Sequence, residues 1–203
     1  TNSAFGNSAL ASLTTGSTNS AFGHEALKNN TANSNSAFGN GALIANTTGQ
    51  DNSAFGVTAL ANNTTGNQNI AFGDYALNRN VTGSDNIAIG YSSLYYVGLL
   101  GQGDRNVAIG NSTLADTSNV GSDNTAVGYK SGLGNTTGYD NNFFGAYSGQ
   151  NLTTGNNNIA IGFNALLPST TASNQLNIGN IIFGQNLAAT SSSATVIPAI
   201  TGT

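Results

Sequence analysis

The chain has 203 residues, of which only 4 are Lys or Arg and 8 are Asp or Glu, for a formal net charge of −4. So few cations cannot neutralise a phosphate backbone, which argues against nucleic acid as a partner. No apolar run approaches the roughly 20 residues of a membrane helix, so no membrane insertion is expected within this segment.

The first element is the pentapeptide Asn-Ser-Ala-Phe-Gly at Asn2–Gly6, and related pentapeptides follow to the far end. Their glycines stand at 6, 23, 39, 56, 73, 90, 110, 128, 145, 162 and 179, mostly 17 residues apart, with one 16-residue step and longer ones of 20 and 18. A period this short and regular is the mark of a solenoid, in which each repeat is one supersecondary unit stacked on the next. Each pentapeptide is too short for a helix and alternates with β-branched or aromatic residues, so it predicts a strand. A Thr-Thr-Gly turn signal closes repeats at Gly16, Gly49, Gly66, Gly138 and Gly155. The expected fold is all-β: a parallel β-solenoid or β-roll of about eleven 17-residue turns, with two short strands and two turns in each. It occupies residues 1–184, and residues 185–203 form an Ala/Ser/Thr-rich linker or tail.

Equivalent positions in successive repeats stack, so each column can be read separately. Four residues before the glycine stands Asn in ten turns, among them Asn19, Asn52, Asn69, Asn86, Asn106, Asn124, Asn141 and Asn158. Stacked asparagines can bond their amides to one another and to the turn backbone, as in cross-β ladders. One residue before the glycine stands Phe, Ile or Val, and four after it a Leu recurs from Leu10 to Leu166. These two columns are the expected interior. Two large apolar residues per turn make a thin core, since each contributes roughly 1.5–3 kcal/mol against ordering costs of about 1–2 kcal/mol per residue. The small Ala column between Asn and Phe therefore reads as a contact face between chains, with a parallel homotrimer as the simplest closed assembly.

Ile87-Ala88-Ile89-Gly90, Val107-Ala108-Ile109-Gly110, Thr125-Ala126-Val127-Gly128 and Ile159-Ala160-Ile161-Gly162 resemble the core of the left-handed parallel β-roll heads of trimeric autotransporter adhesins. The repeats are more similar still to the Asn-Thr-Ala-x-Gly arrays of phage tail fibres and bacterial surface proteins, which often precede a self-cleaving chaperone domain of the endosialidase type. Asn174–Asn180 resembles the segment that ends such arrays. The resemblance implies an extracellular fibre, a homotrimer, and a location on a cell surface or virion tail.

The positions one and two residues after the glycine vary most, as exposed turns should. There Tyr75, Tyr91, Tyr129 and Tyr147 suggest an aromatic strip on which sugar rings stack, against the alternative that they fill gaps beside the next turn. The apolar loop Tyr95–Leu100 is either a contact site or a cover for the interface between chains. Asp123 and Asp140 fall on adjacent turns at a spacing that would suit Ca²⁺, but Arg105 and Gln68 share their column, so no metal is expected. His24 beside Glu25 is isolated; no catalytic residue, enzyme activity or cofactor is expected. The leading expectation is an extracellular fibre or adhesin head that presents its turns for attachment, possibly to a glycan. A passive shaft is the alternative, and ice binding by the Thr columns or tailspike-like polysaccharide processing are more distant ones.

Overall fold

A computed structural model describes residues 1–95, 103–115 and 121–184. Within it the chain is all-β and every strand is three residues long: β1 (Ser3–Phe5), β2 (Ser20–Phe22), β3 (Ser36–Phe38), β4 (Ser53–Phe55), β5 (Ile70–Phe72), β6 (Ile87–Ile89), β7 (Val107–Ile109), β8 (Thr125–Val127), β9 (Asn142–Phe144), β10 (Ile159–Ile161), β11 (Leu176–Ile178) and β12 (Ile182–Gly184). They form one sheet in chain order. From β1 to β11 all neighbours are parallel and paired like with like, Ala21 opposite Ala37 and Phe22 opposite Phe38. Eleven stacked strands delimit ten complete turns of a solenoid. The stack ends on a different note, because β12 pairs antiparallel with β11.

Each turn holds one strand where two were expected. The Leu side of the turn is not extended: Leu27, Leu43, Leu60 and Leu77 have φ of 51°, 52°, 53° and 49°, in the left-handed region that side chains adopt at a cost. Burial of the Leu side chain and backbone bonds to the next turn, such as Leu77 N–H to Ser93 O at 2.9 Å, offset that cost. The glycine column is fixed more rigidly. Its members from Gly6 to Gly162 have φ between 121° and 144°, and from Gly6 to Gly145 an added Cβ would collide with the backbone of the glycine one turn on. No side chain fits that contact.

On the strand side the interior is the reverse of the expected one. In a three-residue strand the middle side chain points one way and its neighbours the other. Here Ala21, Ala37, Ala54, Ala71, Ala88, Ala108, Ala126 and Ala160 point inward and are fully buried, while Phe22 and Phe72 are 40% and 56% exposed. The Ala column is thus not a contact face between chains; it is the inner wall of the coil. A coil this narrow brings backbone from opposite sides so close that Ala, Leu and Asn fill it. The Leu column does lie inside, except in the last turn, where Leu166 is exposed and Leu167 takes the buried place.

The Asn column forms a continuous hydrogen-bond ladder. In each rung the backbone N–H donates to Oδ1 of the Asn one turn earlier; the side-chain Nδ2 does so too, except at Asn35, where it turns to Asn30 Oδ1, and Nδ2 also donates to a carbonyl in the turn that closes its own repeat. For Asn69 these distances are 3.0 and 3.1 Å to Asn52 Oδ1 and 2.8 Å to Gly83 O. The pattern runs from Asn19 through Asn158, and Gln175 N–H continues it onto Asn158 Oδ1. Beside it lies a second ladder that the repeat period concealed: Asn30, Asn46, Asn63 and Asn80, seven residues after their glycines, with each Nδ2 bonded to the preceding Oδ1 at 2.7 to 3.0 Å. All four are fully buried.

A departure within the core shows what the rest conserves in volume. β9 places Phe143 where its neighbours have Ala, and the ring is fully buried. The Leu column compensates on both sides with Gly132 and Gly149, where a Cβ would run into that ring. One large side chain thus stands in for two leucines.

Two outcomes follow. Asn69→Ala strands the buried Asn86 N–H and should cost about 1–3 kcal/mol, read from urea denaturation, whereas Asn7→Ala on the exposed turn should stay within about 0.5 kcal/mol of the parent. Phe143→Ala should cost about 3–5 kcal/mol, and adding Gly132→Leu with Gly149→Leu should recover a large part of it in the same assay.

Candidate functional site

Three surfaces result from this coil. The first is the outer face of the sheet, built from the two flanking residues of every strand. Phe5, Phe22, Phe38, Phe55 and Phe72 run down it as a stack, with centroids of successive rings 6.5, 4.8, 4.6 and 5.3 Å apart. Ile89, Ile109, Val127, Phe144, Ile161 and Ile178 continue the same column. In β1 to β4 the parallel column is Ser; from β5 onward it includes Ile70, Ile87, Val107 and Ile159. From β5 to β7 the sheet therefore presents two apolar columns side by side; Thr125 and Asn142 interrupt the second before Ile159 and Leu176 resume it, and many of the apolar members are more than a third exposed. Contiguous exposed apolar surface of this kind marks an interaction site, where scattered single residues would not.

The second surface is the variable turns. The four tyrosines do not make one strip: they fall into two clusters separated by the turn carrying Asn111 and Ser112. In the upper cluster Tyr75 meets Tyr91 edge-on at 5.8 Å and Tyr95 at 6.1 Å. In the lower, Tyr147 meets Tyr129 at 5.2 Å and Phe163 at 6.1 Å, again edge-on. Tyr91, Tyr129 and Phe163 are 54%, 42% and 74% exposed. Left-handed φ at Tyr75 (62°) and Tyr147 (59°) sets the direction in which these two side chains leave the turn. Tyr95 was not reached by reading the two turn columns, since it lies five residues after its glycine. The rest of the apolar Tyr95–Leu100 loop lies outside the described residues, as does the tail 185–203.

The third surface carries the charges. Arg105 grips Asp123 with two bonds, Nε to Oδ1 at 2.6 Å and Nη2 to Oδ2 at 2.9 Å. This pair holds the Asp123 carboxyl below the usual carboxylate range, chiefly through the hydrogen bonds. The carboxylate that a shared Ca²⁺ with Asp140 would require is thus already engaged, and no cluster of three or more metal-ligating groups occurs among the described residues. Lys28 pairs with Glu25 at 2.6 Å and lowers its pKa in the same way. His24 Nδ1 lies 4.0 Å from the Glu25 carboxylate. Both pairs are solvent-exposed and add little stability.

The remaining repeated polar groups are spent on the scaffold. Thr31, Thr47, Thr64, Thr136 and Thr153 each donate their hydroxyl to a carbonyl of the next turn. The sequons at Asn46, Asn63, Asn80 and Asn135 place the asparagine in the buried inner column, where no sugar could be attached in the folded chain. Among the described residues no helix is long and apolar enough to cross a membrane.

No protein-family model matches this chain, and neither a curated protein nor a solved structure does.

Proposed function

We propose that the chain is a segment of an extracellular fibre or adhesin head, in which three parallel copies pack through their outer sheet faces and present the aromatic turns to a surface glycan. The observation that carries this reading is the continuous apolar face of the sheet. A column whose inner wall is Ala has little large apolar volume inside, while Phe and Ile stand in register outside for the whole length of the stack. Packing identical faces around a threefold axis buries that strip symmetrically and leaves the turns on the outside. The contact between copies is thus assigned to the Phe and Ile columns and not to Ala.

The aromatic clusters supply the attachment chemistry. Tyrosine rings pack against the apolar faces of sugars, and Asn side chains on neighbouring turns can read hydroxyls. Weak single contacts, repeated along the column and around three copies, multiply into avidity when the target presents several epitopes at matching spacing. The edge-on packing of the tyrosines against one another favours a second reading, a passive shaft in which the rings brace adjacent turns. The two readings share the assembly and part at the turns.

In light scattering at micromolar concentration the chain should run at three times its 20.4 kDa mass. Ile89→Asp with Ile109→Asp should reduce that to one. A folded parent that is monomeric overturns the assembly. Changing Tyr129 and Tyr147 together to Ser should abolish attachment to a glycan-bearing surface while shifting the melting midpoint by only a few degrees. Attachment that survives leaves the shaft reading in place.

A further inference from the structure

We infer that the last turn and the β11–β12 hairpin form a cap that closes this end of the column to a second copy of the chain, whose β1 edge would otherwise dock there and extend the stack. The inference stands independently of the attachment reading above.

Each turn in a column of equal repeats is a template for the next, and an unpaired strand edge at either end leaves that template open. Among the described residues β1 pairs with β2 alone, and the strand is exposed along its length. Ser3 N–H and Phe5 O are bonded to the following turn, to Asn19 O and Gly23 N–H, both at 2.8 Å. Ala4, between them, therefore turns its N–H and C=O to the free edge. A final strand with the repeat's own residues would complement that edge, because pairing would continue the parallel, like-with-like register of the stack. Such a contact joins unlike surfaces, so it does not close on itself and leads to open filaments.

At the β11 end the columns of the repeat stop together. In the Asn ladder each Oδ1 points onward to the N–H of the next turn, whereas Gln175 Oε1 accepts Ser169 N–H at 2.7 Å and Nε2 donates to Ser169 O and Ala172 O at 3.0 and 2.7 Å. The longer amide is thus tied at both ends within its own turn. Asn177 replaces the inner Ala, fully buried. Its Nδ2 donates to Leu166 O and to Asn180 Oδ1, at 2.6 and 2.8 Å, and its Oδ1 accepts Asn180 N–H at 2.9 Å. Gly179 leaves the glycine column, with φ of 60°. Asn180, at 58°, supplies the second left-handed residue of a tight hairpin turn, closed by Ile181 N–H to Ile178 O at 3.0 Å. β12 then covers the edge of β11 while running the opposite way. Paired residues share a face of a sheet: Ile182, beside Ile178, prolongs the outer apolar column, and Phe183, beside Asn177, lies on the inner side at the end of the coil. An arriving turn meets a strand of reversed direction, against which the parallel register cannot continue.

The test opens the cap in the full chain and follows rod length by electron microscopy, which separates end-to-end growth from side-by-side packing. Asn180→Pro fixes φ at about −65° and undoes the hairpin while altering no residue of the stacked turns. Adding Gln175→Asn and Asn177→Ala restores the repeat's own residues at the end of the column. The parent should keep one length at every concentration. In the triple variant the mean length should rise about threefold for each tenfold rise in concentration, as mass action requires of open-ended addition. Asn180→Pro alone should lengthen too, from a higher concentration. Ala4→Pro, which removes the donor on the free edge of β1, should stop growth in either background. Parent rods that lengthen with concentration overturn the cap, and so do folded variants that keep the parent's length. Growth that Ala4→Pro leaves unchanged overturns the assignment of β1 as the edge excluded. Should the triple variant not fold, Asn180→Pro decides by the same readout.

Discussion

Everything in this molecule hangs on a side-chain amide that is both donor and acceptor. An Asn at each rung accepts from the turn after it, donates to the turn before it, and ties down the bend that closes its own repeat. Neither Asp nor Leu can do all three, since one lacks the donors and the other lacks both functions. The rungs are buried, where an unpaired polar group is costly, so each turn is locked to its neighbours or not formed at all. That requirement fixes the spacing of turns, the in-line register of the strands and the direction in which the stack proceeds.

The same arrangement explains how a chain with so little charge and so small an interior holds one structure. Backbone bonds and amide rungs run from turn to turn, and Thr hydroxyls add a further column of bonds between turns. The inner side chains have only to fill space. Where one grows, as at Phe143, its neighbours at Gly132 and Gly149 shrink. Large apolar groups are then displaced to the outside of the sheet, the one place where the coil has room for them. Surface chemistry and internal packing are in this sense one decision.

Much of this was legible in the residues. The glycine spacing alone implied a stack of equivalent turns, and asparagines recurring four residues before each glycine implied a ladder. Orientation was not legible. Ser-Ala-Phe reads equally well with either face inward, and the expectation that large apolar residues go inside pointed the wrong way because it ignores how narrow a 17-residue coil is. The second strand was misjudged because Leu hardly ever takes positive φ, and no sequence signal marks a Leu that does. The inner column at Asn30, Asn46, Asn63 and Asn80 was present as a repeated residue beside the turn signal, but nothing in its residue type marked it as buried. As for the candidate site, the columns drew attention to Tyr75, Tyr91, Tyr129 and Tyr147 as residues of exposed turns. Their division into two clusters, and the packing of Tyr95 against Tyr75, depend on side-chain directions that columns do not carry.

The orientation of the bonds has a mechanical consequence. Nearly all of the hydrogen bonds that join one turn to the next lie along the axis of the column. A load applied along that axis therefore does not shear many bonds together. It falls on the outermost turn, and when that turn opens it pays out some 17 residues, roughly 60 Å of extended chain, before the next turn feels the full force. A rod built this way yields in steps and can rewind in steps, turn upon turn, from whatever part of the stack remains as a template.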